Sequence, residues 1–181
     1  MNAECYYHLD QFPVLPIKYI EEAKAGEYHF KISAWHTDSN SWRSDSSFNE
    51  TDFMKSLREH YKDNKILPAP VYLKNGPMQG YEWHTDRQRT CVINFELTKN
   101  EPAYVLFREK INAFFFNIIG PVPYVLGKPF LFNSQIEHSV FNLSDSDRLI
   151  MSIGFFGPTY DEVKEYLCNL PPVNENYNFI K

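Results

Sequence analysis

RLIMSIGFF, residues 148–156, alternates strictly. Leu149, Met151, Ile153 and Phe155 make one apolar face; Arg148, Ile150, Ser152 and Gly154 make the other. A period of two belongs to an extended strand, whose successive side chains point to opposite sides. The first face reads as core. The second mixes a charge, a hydroxyl and a glycine with one isoleucine, as a face does when it meets water or lines a cavity. TCVINFEL, residues 90–97, repeats the pattern: Cys91, Ile93, Phe95 and Leu97 alternate with Thr90, Val92, Asn94 and Glu96.

Outward from these two strands, the chain from PVYLKN to IGFFG is a series of short strand-like runs. They are separated by NGP, KNEP, GPVP and LSDSD, all turn chemistry. Many short strands at this spacing predict a mainly β fold, a double-stranded β-helix (jelly roll, cupin-like) with a few flanking α-helices. A ligand in such a barrel-like sandwich sits in its mouth.

The flanks read differently. PIKYIEEAKAG places Pro16 at a first helical turn and Gly26 past the end, with Ile17, Ile20 and Ala23 as a short apolar face. GEYHFKISAW reads as a strand, and the polar SNSWRSDSSFNE after it as an exposed loop. Ser47 and Glu50 have capping-box spacing before a helix carrying Phe53, Met54, Leu57 and Tyr61 and ending near Asn64. A last helix is expected at TYDEVKEYLCNL, with Thr159 and Glu162 as its capping box and Pro171-Pro172 as its stop. The helices are expected to pack outside one sheet. The organisation expected is a single domain over 1–181. Residues 1–70 pack on the jelly roll, 71–157 form a metal-binding core, and 158–181 supply a helix and tail.

Composition narrows the class. With 43% hydrophobic residues, 15 Phe and 12 Tyr, the chain is ordered and strand-rich. A net charge of −5 without a basic block gives no reason to expect a nucleic-acid partner. Cys5, Cys91 and Cys168 make neither a disulfide framework nor a CxxC pair, and Cys91 reads as a core residue. MNAECYYHLDQF has no basic region followed by an apolar stretch, and no apolar run is long enough for a bilayer. A cytoplasmic protein without a membrane partner is the expectation.

WHTD occurs twice, at residues 35–38 and 83–86. In an extended chain a His and an Asp two apart project from one face, roughly 6–7 Å apart at Cα, and both can reach one ion. The second copy runs directly into the strand RTCVINFEL, whereas His36 and Asp38 are followed by SNSWRSDSS. His84 and Asp86 are therefore the ligand pair. Trp35 and Trp42 are left for the cavity mouth, and Arg89 for a contact to substrate or cosubstrate or for solvent. His138, in SQIEHSVFN, is the third ligand, because a few strand-and-turn units carry a small jelly roll back beside its first strand. Two His and one carboxylate on one face of a metal leave the other face open, the arrangement of non-haem Fe(II) oxygenases; zinc could occupy the set too, with one water as its usual fourth ligand.

Arg148 follows His138 across the turn at LSDSD. A turn centred near Asp145 sets 138 opposite 152 and 142 opposite 148, so His138, Arg148 and Ser152 share a face. An arginine facing the cavity needs an anion, and a carboxylate matches its fork. 2-Oxoglutarate, with a chelating 2-oxo acid end and a distal carboxylate, fits both ends of the site. A surface ion pair of Arg148 with Asp145 or Asp147 is the simpler alternative.

HTD at 84–86 and EHSVFNLSDSDR at 137–148 together resemble the Fe(II)/2-oxoglutarate-dependent oxygenase superfamily. VYLKNGPMQGYEWHTD and GKPFLFNSQIEHSVFN resemble the segments around the two metal histidines of its aspartyl/asparaginyl β-hydroxylase-like group, beside the prolyl hydroxylase-like group. The resemblance covers Val71 to Phe156. It implies His84, Asp86 and His138 as metal ligands and catalytic residues, with Arg148 as the main cosubstrate contact and Asn94, Tyr72 and Ser152 as lesser ones. Asp86 keeps the ordinary triad that the animal β-hydroxylases lack, and Ile150 stands where an R-x-S pair would have its serine.

The resemblance implies Fe(II), 2-oxoglutarate and O2. The activity implied is hydroxylation of an amino-acid side chain, protein-bound or free, with release of succinate and CO2. Substrates open on this reading are a peptide, an amino acid or a small metabolite. Two other readings remain: a cupin-like metalloenzyme that does not use 2-oxoglutarate, and a non-catalytic jelly-roll binding module. A nucleic-acid demethylase would carry a further arginine in the last strands and a basic groove, and the sequence shows neither.

Overall fold

In the computed structural model of the chain, residues 4–15, 17–25, 30–32, 41–44, 70–98 and 102–170 are described. Among them the elements run β1 (Tyr6–His8), α1 (Ile17–Lys24), β2 (Phe30–Ile32), β3 (Ser41–Ser44), β4 (Pro70–Asn75), β5 (Gln79–Gly80) and β6 (Cys91–Glu96). They continue with β7 (Ala103–Lys110), β8 (Phe116–Ile119), β9 (Pro129–Phe132), β10 (His138–Asn142), β11 (Arg148–Phe155) and α2 (Tyr160–Cys168). One sheet has the order β1-β9-β6-β11-β4-β3-β2 and faces a second of order β5-β10-β7-β8. The ladders are antiparallel, and neighbours in space are seldom neighbours in the chain. The fold is a jelly roll.

Register assigns the faces. Ile150 lies opposite Glu96 of β6 and Leu73 of β4, and Ser152 opposite Asn94. Arg148, Ile150, Ser152, Asn94 and Glu96 therefore share one face. The other face carries Cys91, Ile93, Phe95, Leu149, Met151, Ile153 and Phe155. These pack with Leu9, Phe12, Leu15 and Ile20 from the α1 side and Tyr160, Val163 and Leu167 from α2. A second core, with Val92, Val105, Phe107, Val122, Phe130 and Phe132, fills the space between the sheets. The helices thus cover the outside of the larger sheet, and the face that carries Arg148 looks into the sandwich. No helix among the described residues is long and apolar enough to cross a membrane.

α2 begins as its sequence requires: Thr159 Oγ1 accepts from the Glu162 amide, and the Glu162 carboxylate accepts from the Thr159 amide. α1 follows Pro16 but buries only part of the expected stripe, with Ile20 at 3% exposure and Ile17 at 65%. The helix expected after Ser47, its cap at Glu50, and the stop at Pro171-Pro172 lie outside the described residues, as do Trp35, His36 and Asp38 of the first WHTD.

Two expectations are corrected. Ser41–Ser44, read as part of a loop, forms β3, pairing Ser41 with Asn75 and Arg43 with Leu73. The outer edge of β4 presents backbone groups that need partners, and this segment supplies them despite its polar sequence. The second correction concerns β10 and β11, which do not pair. β11 lies between β4 and β6, while β10 lies between β5 and β7 in the other sheet. The turn between them is a corner rather than a hairpin, and residues 138 and 152 do not face across a ladder. Asn142 makes the corner: its Nδ2 donates to the carbonyls of Asn75 at 3.1 Å, Gly76 at 2.9 Å and Ser146 at 2.8 Å.

Candidate metal centre

After β5 the chain continues extended beside β10. Tyr81 donates its amide to Val140 O, and Ser139 Oγ donates back to Tyr81 O. His84 and His138 form an antiparallel bridge, each amide donating to the other's carbonyl at 2.9 Å. The Asp86 amide then donates to Ser134 O at 2.9 Å. This ladder turns His84 and Asp86 to the side where His138 lies. One ligand atom from each of the three side chains falls within 4.8 Å of the others, and the two imidazole centroids are 4.4 Å apart.

The ring tautomers suit a metal. His84 Nδ1 donates to Glu82 O at 2.7 Å, and His138 Nδ1 donates to Ile136 O at 2.9 Å. A carbonyl accepts only, so each Nδ1 holds a proton, and Nε2 is the ring atom left to offer a lone pair to a metal. His138 is packed against Phe132 and Phe107, with ring centroids at 4.7 and 6.1 Å. Burial, with His84 alongside, pushes His138 down to about 4, which keeps it neutral at physiological pH. Arg89 pairs with Asp86 at 2.9 Å and fixes the carboxylate's direction. Gln135 Nε2 donates to the carbonyls of Asp86 and Arg89, and Ser134 Oγ also donates to Arg89 O, which ties this turn to the one before β10.

Deeper in the sandwich, Arg148 is fully buried. Its Nη2 donates to Glu96 Oε2 at 2.7 Å, and its guanidinium lies 4.6 Å from the centre of the Tyr124 ring. Nε and Nη1 of Arg148 make no well-formed hydrogen bond among the described residues, nor do Asn94 Oδ1 and Ser152 Oγ, while the Tyr124 hydroxyl interacts with the guanidinium. Burial pushes the Tyr124 phenol up to about 12, so it stays protonated and able to donate. Buried polar atoms are almost always satisfied, and the unsatisfied donors of Arg148 and Ser152 mark a place for an anionic ligand.

No protein-family model matches the chain, and no curated protein does. Among solved structures, the non-haem alpha ketoglutarate dependent carbocyclase SnoK from nogalamycin biosynthesis is 14% identical with a TM-score of 0.58, over 96% of this chain and 91% of that one. The alpha ketoglutarate dependent epimerase SnoN from the same biosynthesis is 14% identical with a TM-score of 0.57, over 95% and 89%. A prolyl-4-hydroxylase from Pseudomonas putida is 16% identical with a TM-score of 0.50, over 86% and 94%. The chain shares their fold.

Within that fold the structure brings together His84, Asp86 and His138, and places Arg148, Asn94 and Ser152 on one inner face. Tyr72 is a correction. It pairs with Met151 and joins the core beneath the helices, so it points away from the face that carries Arg148. Arg148 does not pair with Asp145 or Asp147; Asp147 pairs instead with Lys74 at 3.2 Å. Arg89 pairs with Asp86 while staying partly exposed, and Cys91 is core at 0% exposure. Sequence reading missed Glu96, Tyr124, Ser134 and Gln135. Glu96 had a visible signal, a carboxylate on the same strand face as Asn94; the other three had none.

Proposed function

We propose that the chain is an Fe(II)- and 2-oxoglutarate-dependent dioxygenase that hydroxylates an amino-acid side chain, protein-bound or free, with release of succinate and CO2. One observation carries the reading: the His84–Asp86–His138 triad shares the sandwich interior with a buried arginine that has donors to spare. The bound metal and cosubstrate would supply the oxidative chemistry. The chain would supply three ligands on one side of the metal, a cation for the distal carboxylate, and apolar walls (Phe107, Phe130, Phe132) that exclude water. The alpha ketoglutarate dependent neighbours support this reading through the fold alone. The amino-acid substrate class rests on the resemblance of VYLKNGPMQGYEWHTD and GKPFLFNSQIEHSVFN to the aspartyl/asparaginyl β-hydroxylase-like group. We also propose one domain over 1–181 and a cytoplasmic location.

A second reading, a metalloenzyme that binds no 2-oxo acid, is favoured by Glu96 already occupying part of Arg148. Anaerobic titration with Fe(II) and then 2-oxoglutarate separates the two. The first reading expects a weak visible charge-transfer band after the second addition, and iron binding without that band supports the second. Arg148→Ala should keep iron and weaken 2-oxoglutarate, and His36→Ala should leave the band intact.

A further inference from the structure

Arg148 already has an anionic partner. The Glu96 carboxylate lies 2.7 Å from its Nη2, with both side chains shut off from solvent at 6% and 0% exposure. An ion pair built only for structure would satisfy its buried donors, yet here Nε and Nη1 make no well-formed hydrogen bond among the described residues. The partly saturated guanidinium suits a carboxylate ligand. Glu96 is what such a ligand would not need.

A 2-oxo diacid that seats its distal carboxylate on Arg148 sets a second negative group against the same cation, beside side chains shut off from water. Two carboxylates sharing one buried site do not both stay ionised. Resting on the 2-oxoglutarate reading above, we propose that Glu96 takes up one proton from solvent as a ligand carboxylate occupies Arg148. The ligand keeps its charge, the neutral Glu96 carboxyl gains an O–H to donate, and no other bond changes.

The surroundings favour Glu96 as the acceptor. Among the described residues, the ionisable groups facing it are Arg148 from β11 and the Tyr124 phenol from the segment leading into β9. Thr98 Oγ1 is 3.5 Å from its Oε1, and Asn75 of β4 lies opposite Arg148 and shares the face. Arg148 is thus the one positive charge opposing burial, which by itself pushes the Glu96 carboxyl above the ordinary range. A ligand that shares Arg148 weakens that opposition and leaves burial to decide.

The test is calorimetric titration of the full chain, loaded with Mn(II), with 2-oxoglutarate at pH 7 in two buffers of different ionisation enthalpy. Uptake near one proton per ligand is expected. The dissociation constant should fall toward lower pH, by up to about 10-fold per unit. Glu96→Gln should bind with no uptake and no pH slope. Binding by the unaltered chain without proton uptake overturns the proposal and leaves the cosubstrate reading standing; no binding of 2-oxoglutarate overturns both. Equal uptake with 2-oxobutyrate, which has the same metal-binding end but no distal carboxylate, would place the proton elsewhere and also overturn it. The unaltered chain and 2-oxobutyrate decide the matter even if Glu96→Gln does not fold.

Discussion

His84 and His138 hold each other through the backbone: each amide donates to the other's carbonyl at 2.9 Å, and the side chains take no part in the bridge. Removing either imidazole therefore leaves the bridge able to form. His84→Ala and His138→Ala are expected to keep the far-ultraviolet circular dichroism of the parent. Each should lose Fe(II) affinity by more than the roughly 10–100-fold typical of a lost outer-shell partner. Asp86→Ala should behave alike. Retained iron binding in any of the three, measured by equilibrium dialysis, would remove that residue from the ligand set.

Arg89 acts one step further out. It reaches Asp86 because Gly154 leaves room: a Cβ there would come within 2.7 Å of Arg89 Cδ. Arg89→Ala frees the Asp86 carboxylate to rotate, and about a 10-fold loss of Fe(II) affinity is expected with little change in melting temperature. The pair is partly exposed, so its own contribution to stability is small. Gly154→Ala should reproduce the affinity loss without touching a charge. Unchanged affinity in both variants would show that Asp86 needs no orientation from this side.

What the sequence disclosed follows from periodicity. Strict alternation in 90–97 and 148–156 sorted core residues such as Cys91 and Met151 from inner-face residues such as Asn94 and Arg148, because a strand has only two faces. The i, i+2 spacing of His84 and Asp86 was legible for the same reason. Periodicity says nothing of which strand lies beside which, so the corner at Asn142 was mistaken for a hairpin. Tyr72 was misplaced because a lone polar residue on a strand does not announce its side. The partner of Arg148 was hidden because Glu96 lies far away in sequence and meets it only through the ladder between β6 and β11.

The corner itself is open to a stability measurement. Asn142 is fully buried and donates to three backbone carbonyls, while its Oδ1 accepts from Ser144 Oγ at 2.7 Å. Asn142→Ala takes a buried donor from the Asn75 and Gly76 carbonyls, and about 2–4 kcal/mol of stability should be lost. Thr159→Ala, which removes the cap of an exposed helix start, should cost only about 1 kcal/mol. Urea unfolding of both variants gives the comparison. Equal losses would show that the carboxamide network contributes no more than a helix cap.

The last expectation concerns pH in the metal-free protein. Burial, and then His84, lower His138 to about 4, against about 6.5 for an unfolded histidine. Folding therefore favours the neutral ring, and the unfolded chain binds the extra proton as pH falls. The contribution of this residue is constant above about pH 6.5 and is lost as pH drops from there toward 4, with a slope of at most about 1.4 kcal/mol per unit. His138→Gln cannot take up that proton and should show a flatter profile between pH 7 and 5, a range chosen to stay above most carboxylate titrations. Melting temperatures measured in the presence of a chelator should thus converge for parent and variant toward low pH. Parallel profiles across that range would mean that His138 is solvated well enough to titrate as it does in the unfolded chain.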